Sequence, residues 1–132
     1  MDIEFDIDLP APRPIVYDTW LNQFEHGAIT EALAFITPQV EGSFRLWGGA
    51  VTGQFLALER PTKIVKTWRT VDFESWMPDT RVTMRFLERP NGSRISIRHE
   101  LIPVQMFAQF RFAWMEYYPP RLQRYFIQRF IP

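Results

Sequence analysis

Apolar and polar residues alternate with a period of two in several stretches of the chain, and each stretch is bounded by turn residues. Ile3, Phe5, Ile7 and Leu9 alternate with Asp2, Glu4, Asp6 and Asp8, the pattern of a strand with one buried and one solvated face. A charged outer row also discourages unwanted pairing if this strand lies at a sheet edge. Phe44 to Trp47 and Ala50 to Leu58 flank Gly48-Gly49, which reads as a hairpin with a two-residue primed turn, since both central positions then take positive φ. Pro61 and Lys63 mark the next reversal, into Ile64 to Arg69. There Ile64, Lys66 and Trp68 share one face, and Val65, Thr67 and Arg69 the other. After a loop over Thr70 to Pro78, Arg81 to Glu88 and Arg94 to Leu101 form a second hairpin around Asn91-Gly92. The pattern predicts six antiparallel strands.

Helical spacing occupies the intervals. Pro10, Pro12 and Pro14 end the first strand, and Pro14 opens a helix through Ile15, Val16, Tyr17, Trp20 and Leu21. Ala28, Ile29, Ala32, Leu33 and Ile36 recur at spacings of three and four, predicting a second short helix that Thr37-Pro38 stops. From Val104 to Pro132, residues Phe107, Phe110, Trp114, Tyr118, Leu122, Tyr125 and Phe126 mark a long amphipathic helix. Pro119-Pro120 falls inside it and predicts a kink or break, because an interior proline costs about 3 kcal/mol.

The Gly-x-Phe strand, the Gly turn, Val-x-Gly-x-Phe, a Pro-marked turn and Ile-Val-x-x-Trp-Arg, all within residues 42 to 69, resemble the domain of activators of heat-shock protein 90 ATPase. Trp114-x-x-Tyr117-Tyr118 is similar to a Trp-x-x-Tyr-Tyr element of the last helix of the eukaryotic activator. The resemblance spans roughly Pro12 to Phe126. It implies an α+β, START-like (SRPBCC) helix-grip fold: a curved six-stranded antiparallel sheet wrapped around a long C-terminal helix, with two short helices between the first and second strands. Glu41 stands where many relatives have the first of two glycines, which suggests a less distorted strand entry. Where relatives have an acidic lead-in to the last helix, this chain has Val104, Met106, Phe107, Phe110 and Phe112, so either the interior is unusually filled or an apolar patch is exposed.

Composition narrows the function classes. In 132 residues, 46% hydrophobic and 16% aromatic content is enough for one core, so residues 1 to 132 read as a single domain. Fifteen basic and fifteen acidic residues cancel, so no global charge favours nucleic acid. With no cysteine there is neither a disulfide framework nor a thiolate nucleophile. No apolar run reaches spanning length. The acidic, alternating MDIEFDIDLP lacks the basic start and apolar stretch of a signal peptide, and the expected location is the cytoplasm.

No catalytic, metal or cofactor-binding constellation emerges. His26 and His99 lie on different elements without ligand spacing around them. His99 and Glu100 are adjacent on a strand and point to opposite faces. Gly53 reads as a bulge or a close backbone approach. The chain is therefore expected not to be an enzyme, and to need no cofactor. Two functions follow from the resemblance: a co-chaperone-like module that binds heat-shock protein 90 and stimulates its ATPase, or a binding protein or sensor for an apolar or aromatic small molecule or lipid held between sheet and helix. Candidate cavity-lining residues are Trp47, Phe55, Trp68, Trp76, Met84, Phe86, Trp114 and Tyr118, each with ordinary core packing as its competing role. Arg111, Arg121, Arg124 and Arg129, set against the single acid Glu116 in residues 104 to 132, form a candidate partner surface.

Overall fold

A computed structural model describes residues 1–131 as α+β. Seven strands, β1 (Ile3–Leu9), β2 (Phe35–Ile36), β3 (Ser43–Leu46), β4 (Val51–Glu59), β5 (Lys63–Thr70), β6 (Thr80–Arg89) and β7 (Gly92–Glu100), form one antiparallel sheet in the order β1-β7-β6-β5-β4-β3-β2. Helices α1 (Arg13–Leu21) and α2 (Gln23–Thr30) connect β1 to β2, and α3 (Phe107–Tyr117) and α4 (Pro119–Phe130) follow β7. No helix among the described residues is long and apolar enough to cross a membrane.

The alternation in β1 buries Ile3, Ile7 and Leu9, while its acidic row pairs across the strand with β7. Arg94 Nε donates to Asp8 at 2.7 Å, and Arg98 donates to Asp2 at 2.8 Å. Those guanidinium hydrogen bonds hold both carboxyls below their ordinary pKa. The acidic row is thus the solvated face of the sheet, neutralised by its neighbour strand.

The extra strand comes from the end of the second predicted helix. Asn22 caps α2 by accepting from the Phe24 and Glu25 amides. Glu31 then turns left-handed at φ 56° and ends the helix, so Leu33 and Ile36 fall outside it. Phe35 and Ile36 pair with Arg45 and Phe44 as β2. A spacing of three and four carried past residue 30 misreads an edge strand as a helix.

Both glycine turns are shifted from the predicted frame. Leu46 pairs with Val51, so four residues rather than two connect β3 to β4, and Trp47, Gly48 and Gly49 all take positive φ. Trp47 donates through its indole to Tyr118, and the Gly48 amide donates to the Leu33 carbonyl; these tertiary bonds override the local turn. In the second hairpin Arg89 pairs with Gly92, leaving Pro90-Asn91 as the turn. Gly92 is required for a different reason: a Cβ there would lie 2.0 Å from the Leu9 carbonyl oxygen. Gly53 is a close approach, since a Cβ would meet the Thr67 carbonyl at 2.2 Å and the Phe44 ring at 2.3 Å; the β4–β5 irregularity lies further on, between Phe55 and Ala57. Glu41, expected to ease strand entry, instead sits at φ 70°.

The helix break falls where the two prolines predict it. Pro119 and Pro120 open α4, and Tyr118 stands between α3 and α4. From there the two helices diverge. α4 packs on β1 and α2, whereas α3 meets the sheet through long side chains.

Candidate functional site

The gap between α3 and the sheet is an open cleft of about 420 Å³. On α3, Gln109, Phe110, Ala113, Trp114 and Tyr117 form a stripe at helical spacing that faces it, and Trp68 and Thr70 of β5 supply the opposite wall. Trp47 and Arg121 complete one end, and Val71 and Asp72 the other. The Trp68 and Trp114 rings stack with centroids 5.0 Å apart and planes at 29°. Trp47 lies edge-on to Tyr118 and is covered by the Arg121 guanidinium, 5.5 Å from its ring. Its left-handed backbone, at φ 57°, costs roughly 1–2 kcal/mol in a non-glycine residue. The hydrogen bond to Tyr118 and the edge-on contact with its ring hold it there.

Two buried histidines tie these aromatic walls to the fold. His26 Nδ1 lies 2.9 Å from the Trp20 carbonyl, which only accepts, so Nδ1 carries the proton. Nε2 then accepts from the Tyr118 hydroxyl at 2.9 Å, and the Tyr118 oxygen in turn accepts from the Trp47 indole at 3.1 Å. On the sheet side, the Trp114 indole donates to His99 Nδ1 at 2.9 Å, which places the proton on Nε2, 2.6 Å from Thr80 Oγ1. The Thr80 hydroxyl in turn donates to the Trp68 carbonyl. Each relay is satisfied from end to end with a neutral imidazole. Desolvation accordingly lowers His26 to about 4 and His99 to about 3. Burial also raises the Tyr118 hydroxyl, against the lowering effect of the Trp47 hydrogen bond. With both nitrogens of each ring engaged, neither histidine has a lone pair left for a metal.

Behind Trp68 lies Lys66, which is 1% exposed. Its ammonium position is enclosed by Trp20, Trp68 and Phe44, with Nζ at 4.4, 4.9 and 5.2 Å from the ring centroids. Ring faces attract a cation, but they do not replace the hydrogen bonds of water. Desolvation prevails and holds the lysine well below its ordinary pKa. Lys66 was legible only as the partner of Ile64 and Trp68 on one strand face; the alternation that placed it there already pointed inward.

Of the eight candidate lining residues, Trp47, Trp68, Trp114 and Tyr118 meet at the cleft. Phe55, Met84 and Phe86 do not: they are packed into the core, Phe55 against Phe44 and Phe86 against Tyr17. Trp76 sits in the β5–β6 loop, 70% exposed. Period-two alternation gives the face of a strand but not the position along it, and these three core residues lie on the inner face away from the opening. The four arginines also separate. Arg121 belongs to the cleft, donating to the Thr30 carbonyl at 3.2 Å and lying 3.5 Å from Glu31. Arg129 folds back over Tyr125, 3.5 Å from its ring. Arg111 and Arg124 are exposed. The lead-in to α3 is both filled and open: Met106 and Phe110 are buried, while Val104 and Phe112 are exposed.

Polar groups at the cleft are few. Thr70 Oγ1 is buried without a hydrogen-bond partner, and Gln109 donates to Asp72 at 2.8 Å. Such a site, apolar and aromatic with scattered polar groups, suits a flat molecule with a hydrogen-bonding edge.

Residues 10–126 match the family described as activator of Hsp90 ATPase homolog 1-like protein. An uncharacterized protein of Schizosaccharomyces pombe is 36% identical over 75 residues, a stretch covering 57% of this chain and 21% of that relative's length. Among solved structures, an HSP90 activator from Plasmodium falciparum superposes with a TM-score of 0.82 at 20% identity, covering 89% of this chain and 90% of that one. The Aha1 dimer from Colwellia psychrerythraea gives 0.81 at 14% identity, covering 98% of each chain. CalU16 from Micromonospora echinospora gives 0.78 at 18% identity, covering 95% of this chain and 75% of that chain. At these identities the structural likeness establishes the fold, a helix-grip sheet wrapped on its last helices.

Proposed function

Because the chain belongs to the family of activator of Hsp90 ATPase homolog 1-like proteins, we propose that it is a non-enzymatic binding domain whose ligand is a flat, largely apolar aromatic molecule held between α3 and β5. The observation that carries this reading is the cleft itself: about 420 Å³, walled by Trp47, Trp68, Trp114 and Tyr117. An aromatic ligand would extend the Trp68–Trp114 stack, and such ring pairs contribute about 0.5–1.5 kcal/mol beyond the area they bury. Of the titratable groups at the cleft, Tyr118 is bonded to His26 and Asp72 to Gln109, which supports binding rather than proton transfer.

A second reading is favoured by the match to the Plasmodium falciparum activator over nine-tenths of both chains. In it the domain contacts a chaperone of the heat-shock protein 90 class in the cytoplasm and stimulates its ATPase, with the exposed Arg111 and Arg124 as contacts. One experiment separates the two. Phenylnaphthylamine, a neutral fused-ring fluorophore, is titrated into the protein and into Ala113→Trp, which fills the cleft, and chaperone ATPase is measured with both. Saturable binding lost in Ala113→Trp supports the ligand reading. A rise in ATPase that survives Ala113→Trp, without fluorophore binding, replaces it with the chaperone reading.

A further inference from the structure

Charge along the cleft is segregated. Its lining runs from Gln109 to Tyr117 on α3 and on to Arg121, and the α3 portion alone spans roughly 12 Å at the helical rise. At the Gln109 end stands Asp72, whose carboxylate already accepts from Gln109 at 2.8 Å. At the other end stand Arg121 and the first turn of α4, which contains no acidic residue and no side-chain cap.

Arg121 is positioned but not saturated. Its Nη1 is shared between the Thr30 carbonyl at 3.2 Å and Glu31 at 3.5 Å. Glu31 is a weak competitor, because its side chain is 72% exposed and the pair is screened by water. The guanidinium plane rests over Trp47, so an aromatic ligand stacked near Trp47 brings its edge to the remaining N–H donors. A planar fork of donors beside an aromatic wall is the arrangement that recognises a carboxylate or sulfonate on a ring.

Resting on the binding function proposed above, we infer that the ligand class is an aromatic anion: a fused-ring or biaryl molecule whose rings fill the Trp68–Trp114 side and whose carboxylate, or an acid of similar shape, is held by Arg121.

The test compares two fluorophores with the same aromatic skeleton, anilinonaphthalene sulfonate and phenylnaphthylamine, which differ in the anionic group. The protein is expected to bind the sulfonate roughly tenfold more tightly, the contribution of one charge-assisted hydrogen bond at a partly exposed site. Arg121→Gln brings the affinity ratio towards one. Arg111→Gln, which removes the same charge from the exposed surface, leaves the ratio intact. Glu31→Gln raises it, by releasing Arg121 from its carboxylate. Equal affinities in the unsubstituted protein, or a ratio that Arg121→Gln and Arg111→Gln change alike, overturn the anion preference and leave the cleft function standing. Failure of both fluorophores to bind removes the cleft function and the anion preference together.

Discussion

Helices α3 and α4 are consecutive, similar in length and both aromatic, yet they do opposite work. α4 is sharply amphipathic: Leu122, Tyr125 and Phe126 are buried against β1 and α2, and its arginines face outward or fold over neighbours. α3 buries only Phe110 and Trp114, and leaves Phe112, Met115 and Tyr117 substantially exposed. It meets the sheet through side chains: the Trp114–His99 hydrogen bond, the Trp68–Trp114 stack, the stacking of Phe110 on His99 and the contact of Trp114 with Phe5. One half of the last helical segment closes the core, and the other half holds a cleft open. The difference begins at Tyr118, where two prolines end the first helix and the hydroxyl bonded to His26 fixes the second.

Acid should break the α3 side most severely. Both relays need neutral imidazoles, with His26 lowered to about 4 and His99 to about 3. The unfolded chain binds protons near pH 6.5, so it carries more protons than the native state below that pH, and stability falls as pH falls towards the folded values. Urea denaturation should show a loss of about 5 kcal/mol for the two histidines together between neutrality and about pH 4.5. The sign is the same on the alkaline side: desolvation holds Lys66 well below its ordinary pKa in the fold, so stability rises as pH climbs towards the ordinary lysine range, where the unfolded chain still holds the proton. Lys66→Met should abolish that rise. A flat profile over both ranges would mean that these groups titrate in the fold as they do in the unfolded chain.

Next in size, Phe126→Ala on α4 should cost about 3–5 kcal/mol, the penalty for a large cavity in a packed core, read as a lower urea midpoint. Tyr118→Phe at the junction removes one oxygen and strands both the Trp47 indole and His26 Nε2, for a loss of about 1–3 kcal/mol. The smallest effect on stability should come from Phe112→Ala on α3, within about 0.5 kcal/mol because the ring is exposed. The same change should weaken phenylnaphthylamine binding several-fold, since Phe112 lines the cleft. If Phe112→Ala destabilised as much as Phe126→Ala, the distinction between the helices would fail.

The same contrast explains what the sequence disclosed. Strands, faces and the helix break were legible, because they rest on local rules: alternation in β1 and β5, and prolines at 119 and 120. The frames of the two glycine turns were not, because Trp47 is drawn into the cleft by Tyr118 and Gly92 is set by its approach to Leu9. Strand β2 was hidden for a similar reason: two residues gain their pairing from β3, and nothing local marks them. Within the site, Trp47, Trp68, Trp114 and Tyr118 stood out as aromatic residues. Arg121 was named only as a surface charge; its place at the cleft, and the histidine relays, depend on which elements meet in space, and period and composition carry no record of that.

Whether the cleft between α3 and β5 is a ligand site is decided by titrating the isotope-labelled protein with phenylnaphthylamine and following the indole N–H resonances of its tryptophans by two-dimensional NMR. Saturable shifts are expected for Trp47, Trp68 and Trp114, which line the cleft, and none for Trp76, which is exposed on the β5–β6 loop. Shifts confined to Trp76, or no saturable shift at any indole, would contradict a ligand site there.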